Sequence, residues 1–444
     1  MLTSLRPLRS RNFALVWASA LVSNVGSWMQ TVALGVVVTT RSHNPLWTGA
    51  VAAAAFIPMG LLAPVGGALA DRLDRRRWLI TTTVAESGFA ALLAVLAATG
   101  HAPSWVLLVV AFLGGVAGSV GFPTYQAMIP DLVPANDLLG AVSLSSAQFN
   151  LGRVIGPVLA GVVLYAGSAA WAFAVNAVSF GAVVVALAFV RLPPRTPVPS
   201  DRETILRRIV AGARIAAAEP GCRSAIILIG IVALIGSPFI ALVPAVAITA
   251  LDRGKFGTSV LLTAQGVGAV SGALVLASLV QAFGRRLLVG ALGAFPLALV
   301  AYGLAPSLWP SALAILVVGF CYIGVLTGLN TVVQRRAPAQ ARGRVLGLYM
   351  MALGVIYPIG AVVQGAIAHE VGIRAVTVAS GVALFAVMVV IGIFRGRLFG
   401  ALGDPAPTTT TDASAGGAGP GPARSGGAGA DVVVPVGPTA PIAP

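Results

Sequence analysis

Apolar residues run in long stretches along this chain, and polar residues gather in short clusters between them. The stretches fall at about 13–40, 46–70, 78–99, 105–129, 139–166, 170–190, 224–250, 257–283, 287–305, 308–333, 345–368 and 373–394, each bounded by Gly, Pro or charged residues. At 1.5 Å per helical residue each can cross the roughly 30 Å hydrocarbon layer of a bilayer. The pattern predicts an all-α membrane protein of twelve transmembrane helices. An even number of crossings puts both termini on one side.

Composition agrees. Of 444 residues 57% are hydrophobic and 9% charged, and the mean hydropathy is +0.94. A soluble domain would carry about a quarter charged residues. The net charge of +15 and pI near 11.4 raise nucleic acid as a partner. The arginines, however, are dispersed between apolar runs and form no basic domain, so that reading fails. They set topology instead. With the N-terminus inside, 23 of the 28 Arg and Lys residues fall in inside segments, four outside, and Arg153 within a span. Both termini are therefore expected in the cytoplasm of a plasma-membrane protein. Arg6, Arg9 and Arg11 imitate a signal peptide, but the run after them is too long for one, so it is expected to stay as the first span.

Arg191–Arg223 is the longest internal polar stretch. It divides the chain into an N-terminal six-helix bundle (1–190), a cytoplasmic linker (191–223), a C-terminal six-helix bundle (224–396) and a Gly/Ala/Pro/Thr-rich tail (397–444) expected to be disordered. Within the linker, Ser200 and Glu203 predict a capping box for an amphipathic helix to about Ala218, lying on anionic lipid headgroups. The halves repeat. Leu279-Val-Gln281-Ala-Phe-Gly284-Arg285-Arg286 follows span 8 as Leu69–Arg76 follows span 2, and Pro134, Leu144 and Gly161 correspond to Pro338, Leu348 and Gly365. Such a parallel repeat predicts two pseudo-symmetric six-helix bundles.

The densest polar cluster is Gly67-Ala-Leu-Ala-Asp71-Arg72-Leu-Asp74-Arg75-Arg76-Arg77, between spans 2 and 3. It resembles the loop 2–3 signature of the major facilitator superfamily of secondary transporters, with Asp74 where that family usually has glycine. The resemblance implies the major facilitator fold, and a cytoplasmic gate of Gly67, Asp71, Arg72, Arg75, Arg76 and Asp131 docking near Arg342 and Arg344 of span 11. The plainer reading is that the arginines only fix topology, but Asp71 contributes nothing to that.

Span 5 contains Gly152-Arg153-Val-Ile-Gly156-Pro157-Val-Leu-Ala160-Gly161. This resembles the Gly-x-x-x-Gly-Pro-x-x-Gly-Gly signature of the exporting (antiporter) branches, with Ala160 replacing one glycine. Physically, the glycines allow close helix approach and Pro157 removes a backbone donor. Arg153 inside this motif and Glu86 in span 3 are costly intramembrane charges and hence functional candidates. Glu86 is read either as the carrier of a coupled proton or as hydrogen-bonded in a packing interface. Arg153 is read as its partner or as a binder of an anionic substrate group. The arginine that many proton-driven drug exporters carry in span 4 is missing from Phe112-Leu-Gly-Gly-Val-Ala-Gly118, so proton antiport is implied by resemblance only.

Arg11-Asn-Phe-Ala-Leu-Val-Trp17, Ser23-Asn24-Val-Gly-Ser27-Trp28 and Arg342-Gly-Arg-Val-Leu-Gly-Leu-Tyr349 are similar to one branch of the superfamily. That branch holds enterobactin exporters, macrolide-efflux proteins and a lysophospholipid transporter. Asn24, Gln30, Tyr125, Gln148, Gln265, Tyr322, Asn330, Tyr349 and Tyr357 are candidates for the lining of an apolar cavity with few polar contacts; each is equally well an interhelical hydrogen bond. The reading is a non-enzymatic exporter of amphipathic small molecules (drug, macrolide or siderophore type), working as a monomer with protons as coupling ion and membrane lipids around it. A lipid translocator or importer of the same fold is the alternative, and a membrane sensor the rival of another class. Walker A, His-Glu-x-x-His and Ser/His/Asp patterns are absent from the sequence, and Cys222 and Cys321 have no metal or disulfide spacing, so neither cofactor nor metal is expected.

Overall fold

Backbone N–H and C=O groups find no partners in hydrocarbon, so apolar runs of this length fold as helices that satisfy themselves. The computed structural model describes residues 3–190, 205–338 and 341–403, except for the side chains at 3–4, 63–64, 67–68, 70–72, 150, 205–206, 208 and 276–283. Twelve of its helices are long and apolar enough to cross a bilayer. They are span 1 (Arg11–Ser42), span 2 (Pro45–Arg72), span 3 (Arg75–Thr99), span 4 (Ser104–Leu132), span 5 (Leu138–Ala166), span 6 (Ala169–Phe189), span 7 (Pro220–Ala250), span 8 (Gly254–Val275), span 9 (Gly284–Leu304), span 10 (Leu308–Arg336), span 11 (Arg342–Val371) and span 12 (Ile373–Phe394). Ser200, Glu203 and the tail from 404 onward lie outside the described residues, as do the side chains of Asp71, Arg72 and Gln281 and any Cβ environment at Gly67.

The boundaries follow local chemistry. Asp74, the departure from glycine in the hairpin, is the N-cap of span 3, and its carboxylate accepts from the Arg77 amide at 2.8 Å. At the corresponding place in the second half Gly284 adopts φ +43°, ψ −121°, which breaks one continuous helical path into spans 8 and 9. Each half thus solves the same corner with a different residue. The linker helix, Ile205–Ala218, packs by its Gly212 against the backbone of Arg344 and buries Ala216. Part of its apolar face is therefore taken by span 11. The ordered chain also runs past 397: Gly396–Gly400 is a short helix, and Arg336 donates to the carbonyls of Ala401 (2.9 Å) and Gly403 (2.6 Å).

Two six-helix bundles result. In the first, span 1 packs on spans 5 and 6, span 2 on span 4, and span 3 on spans 4 and 6. In the second, Gly268 and Gly272 of span 8 meet the backbone of Leu316 and Phe320 on span 10, while Gly381 of span 12 meets Pro296 on span 9. The bundles touch through span 2 on span 11 and span 5 on span 8.

Span 7 departs from ideal helix. Pro238 has no N–H, so the Leu234 carbonyl loses its donor, and the chain passes through a five-residue π turn at Val232–Gly236. The amide of Gln364 on span 11 supplies the donor, to Leu234 O at 3.3 Å and Ile235 O at 2.8 Å. Span 11 has its own π turn at Ala352–Ile356.

Candidate functional site: the cavity between the bundles

The bundles meet tightly at one end. We call the end where span 1 begins and span 12 finishes the termini end, and the opposite one the far end. At the far end Gly49 lies against the Ala361 carbonyl, and a Cβ on Gly365 would sit 2.7 Å from the Pro45 carbonyl. A Cβ on Gly161 would overlap the Ser259 hydroxyl. Lys255 crosses the same seam, its ammonium 3.4 Å from Leu164 O and 3.5 Å from Gly167 O. Deeper in, Gly60 meets Gly354 and Val355.

Below this seal is a cavity of about 380 Å³. Spans 1, 2 and 5 line one wall and spans 7, 8, 10 and 11 the other. Its lining extends towards the termini end as far as Leu151 and Leu274. Its lining is mostly apolar, with Thr31, Thr48, Gln265 and the Tyr357 ring as neutral polar groups. Arg153 is the charged residue in it, and no carboxylate among the described residues lines it. The guanidinium carbon stands 5.7 Å from the Trp28 ring centroid and 6.0 Å from that of Tyr322. Phe56 bridges Trp28 (6.2 Å) to Tyr357 (5.5 Å), so aromatic edges and faces run continuously across both bundles.

The span 5 glycines do two jobs. A Cβ on Gly152 would lie 2.9 Å from the Asn24 Cβ, and one on Gly156 2.5 Å from the Trp28 Cβ, so these two seat span 5 on span 1. Gly161 faces the other bundle instead, and Pro157 faces the cavity. Asn24 is thereby packed at the span 1–span 5 contact.

Of the other polar candidates, Gln265 and Tyr357 line the cavity, and Tyr322 borders it with its hydroxyl donating to Ser237 Oγ at 3.1 Å. Gln30 faces span 6, where it accepts from Asn176 Nδ2 at 2.9 Å. Gln148 is buried near Tyr125, whose hydroxyl is 3.5 Å from Gln148 Oε1 and 3.4 Å from Ser145 Oγ. Tyr349 donates to the Leu326 carbonyl at 2.8 Å, and Asn330 bonds Gln334 on its own helix. Glu86 sits against Gly118 of span 4, with its Oε1 2.6 Å from where a Cβ there would be, and is not part of the cavity lining. It and Arg153 are not brought together. Replacing Gln30 by Leu should therefore cost about 1 kcal/mol in thermal unfolding, the size of an interhelical hydrogen bond in a membrane, while leaving substrate preference unchanged.

At the termini end, Arg75 binds Asp131 Oδ2 at 3.0 Å and also donates to the Ala127 carbonyl. Arg76 donates to the last carbonyls of span 6, Leu187 O at 2.7 Å and Ala188 O at 2.8 Å. Arg76 thus caps the C-terminus of span 6, where orphan carbonyls and the negative dipole end favour a cation, while Arg75 ties span 3 to the last turns of span 4.

Twelve membrane helices in two bundles around a cavity sealed at one end define a membrane transporter of the major facilitator class. The transmembrane secretion effector family matches residues 2–406, and the chain belongs to it. Among its relatives, the enterobactin exporter EntS of Citrobacter koseri is 29% identical over 405 residues, covering 88% of this chain and 92% of that one. The Escherichia coli O1:K1 enterobactin exporter EntS is 30% identical over 352 residues, covering 76% and 80%. Solved structures share the fold. A bacterial homolog of the human lysosomal transporter Spinster, inward-facing and unoccupied, matches with TM-score 0.68 and 15% identity over 90% of this chain and 99% of that one. The nucleoside transporter NupG matches with TM-score 0.69 and 13% identity over 86% and 99%. The chain is a multi-pass cell-membrane protein and not an enzyme.

Proposed function

We propose that the protein exports amphipathic small molecules by proton antiport, through alternating access between bundles 1–190 and 224–396. The observation that carries this reading is the cavity. It lies between the bundles, is apolar with a few fixed polar groups, and extends from the far-end contacts towards the termini end. The excess of arginine at that end supports placing it in the cytoplasm, and in this reading the cavity is loaded from inside. The exporter relatives support the direction of transport, and their named cargo makes siderophore-type compounds the first to consider.

In this reading Glu86 carries the proton, because a carboxyl kept within the membrane is costly unless it is used. Gly67, Asp71, Arg72, Arg75, Arg76 and Asp131 form the gate that closes the cytoplasmic end near Arg342 and Arg344. The protein works as a monomer, with the remaining polar face of Ile205–Ala218 on anionic lipid.

The test uses inside-out proteoliposomes holding a pH dye. An acid-inside gradient should drive accumulation of enterobactin, and added enterobactin should alkalinise the lumen. Glu86→Gln should stop that proton movement. Accumulation indifferent to the gradient, or no flux of enterobactin or of a panel of naphthyl amphiphiles, would refute the proposal.

A further inference from the structure

We propose that the cavity selects anionic amphiphiles with a planar aromatic body, and that Arg153 recognises their negative charge. This rests on the transport reading above but names the substrate class, which that reading leaves open.

Arg153 lies about 15 residues into span 5, hence roughly 22 Å from its start. A guanidinium is always charged, and at this depth its charge must be compensated. The ion pairs Arg6–Asp137, Arg75–Asp131 and Arg336–Glu219 all lie at the termini end, far from it. Its partners here are the rings of Trp28 and Tyr322 and the Tyr322 hydroxyl oxygen. Two cation–π contacts supply about 2 kcal/mol each when desolvated, less than removing a cation from water costs. While the cavity is open, water makes up the difference. When the bundles close over it, that water is lost. A ligand carboxylate, sulfonate or phosphate replaces it, since the guanidinium fork matches such oxygens bidentately.

The rest of the lining describes the rest of the ligand. Trp28, Phe56 and Tyr357 present a ring wall, and planar aromatic bodies stack offset or edge-on against such rings. Gln265 offers a neutral amide, and Thr31, whose hydroxyl proton goes to the Ser27 carbonyl, offers an acceptor oxygen, while the Thr48 hydroxyl is taken by Thr39. A volume of about 380 Å³ admits a small drug-sized body or the leading part of a larger one. A cationic amphiphile meets only a like charge, as no carboxylate of the described residues lines the cavity.

The experiment measures equilibrium binding to the purified full chain in detergent, with three ligands of one shape: naphthoate (anionic), naphthamide (neutral) and naphthylmethylammonium (cationic). We expect naphthoate to bind at least tenfold tighter than naphthamide, with the cation weakest. Arg153→Gln should erase the difference between naphthoate and naphthamide, while Arg153→Lys should keep part of it, as a point charge without the fork. Trp28→Leu should weaken all three together. Equal binding of the three to the wild-type chain would overturn the proposal without any variant being made, and so would charge preference surviving in a folded Arg153→Gln protein. Charge-selective binding without proton-driven flux would leave this inference standing and sink the transport reading; flux with charge-blind binding would do the reverse.

Discussion

Leucine in place of Gly161 should lower transport at least tenfold and trap the protein with its far end apart. Gly161 is where span 5 meets span 8, and even a Cβ there would overlap the Ser259 hydroxyl. Overfilling a well-packed contact costs about 1–3 kcal/mol, and the Ser259 Cβ, 2.3 Å from the added atom and fixed to the span 8 backbone, has little room to adjust. The separated arrangement pays none of this, so the substitution biases one state only. A shift of about 3 kcal/mol changes the population ratio by more than a hundredfold. Thiol labelling of a cysteine at Ser259 is unsuitable, since that residue is the partner. Labelling at Leu164 is the better readout, and it should become fast in Gly161→Leu. Gly161→Ala should show a smaller effect that Ser259→Gly reverses, because the second change removes the atoms with which the new methyl collides. Wild-type transport by Gly161→Leu would show that this seam does not open during the cycle.

The second large effect is expected at Arg75. Replacing it by Met leaves Asp131 ionised and without its partner where side-chain exposure is only 26%, and removes a donor from the Ala127 carbonyl. Breaking one side of a buried pair costs about 3 kcal/mol. Thermal unfolding in detergent should record a loss of that order. Because the cost lies in the stranded carboxylate, Arg75→Met combined with Asp131→Leu should be less destabilised than Arg75→Met alone. If the double variant is worse, the pair contributes through attraction and not through mutual neutralisation.

These residues also show how far the sequence could be read. The twelve crossings were legible because lipid demands long apolar runs, and the loop charges were legible because arginine cannot stay in hydrocarbon. Arg153 stood out for the same reason: a charge in a greasy run is conspicuous wherever it points. What could not be read was facing. In a soluble helix polarity marks the outside, but here both lipid and neighbouring helices are apolar, so the stripe that packs differs little from the stripe that does not. Gln30 therefore looked as much like a cavity group as Gln265, and only the fold turns one to Asn176 and the other to the cavity. Likewise the motif Gly152, Gly156, Gly161 reads as one run of small residues. The structure divides it between a contact within a bundle and a contact between bundles.

Two residues carry signals that were overlooked. Asp74 has the side chain and position of an N-cap just before a helix, the usual reason for an aspartate there. Gln364 has a weaker one: Pro238 leaves a carbonyl with no donor, so some amide must come from elsewhere. Which amide does so depends on tertiary contact, and no local rule names it.

That Gln364 bond has a mechanical outcome. Span 2 bears on span 11 at Gly49 and Gly60, and span 11 meets the turn of span 7 twice, by the Gln364 amide and by Gly360 set against the Leu234 carbonyl and Pro238. Force arriving from the first bundle thus reaches the π turn of span 7 through span 11, besides the direct contact of spans 1 and 2 with the later part of span 7.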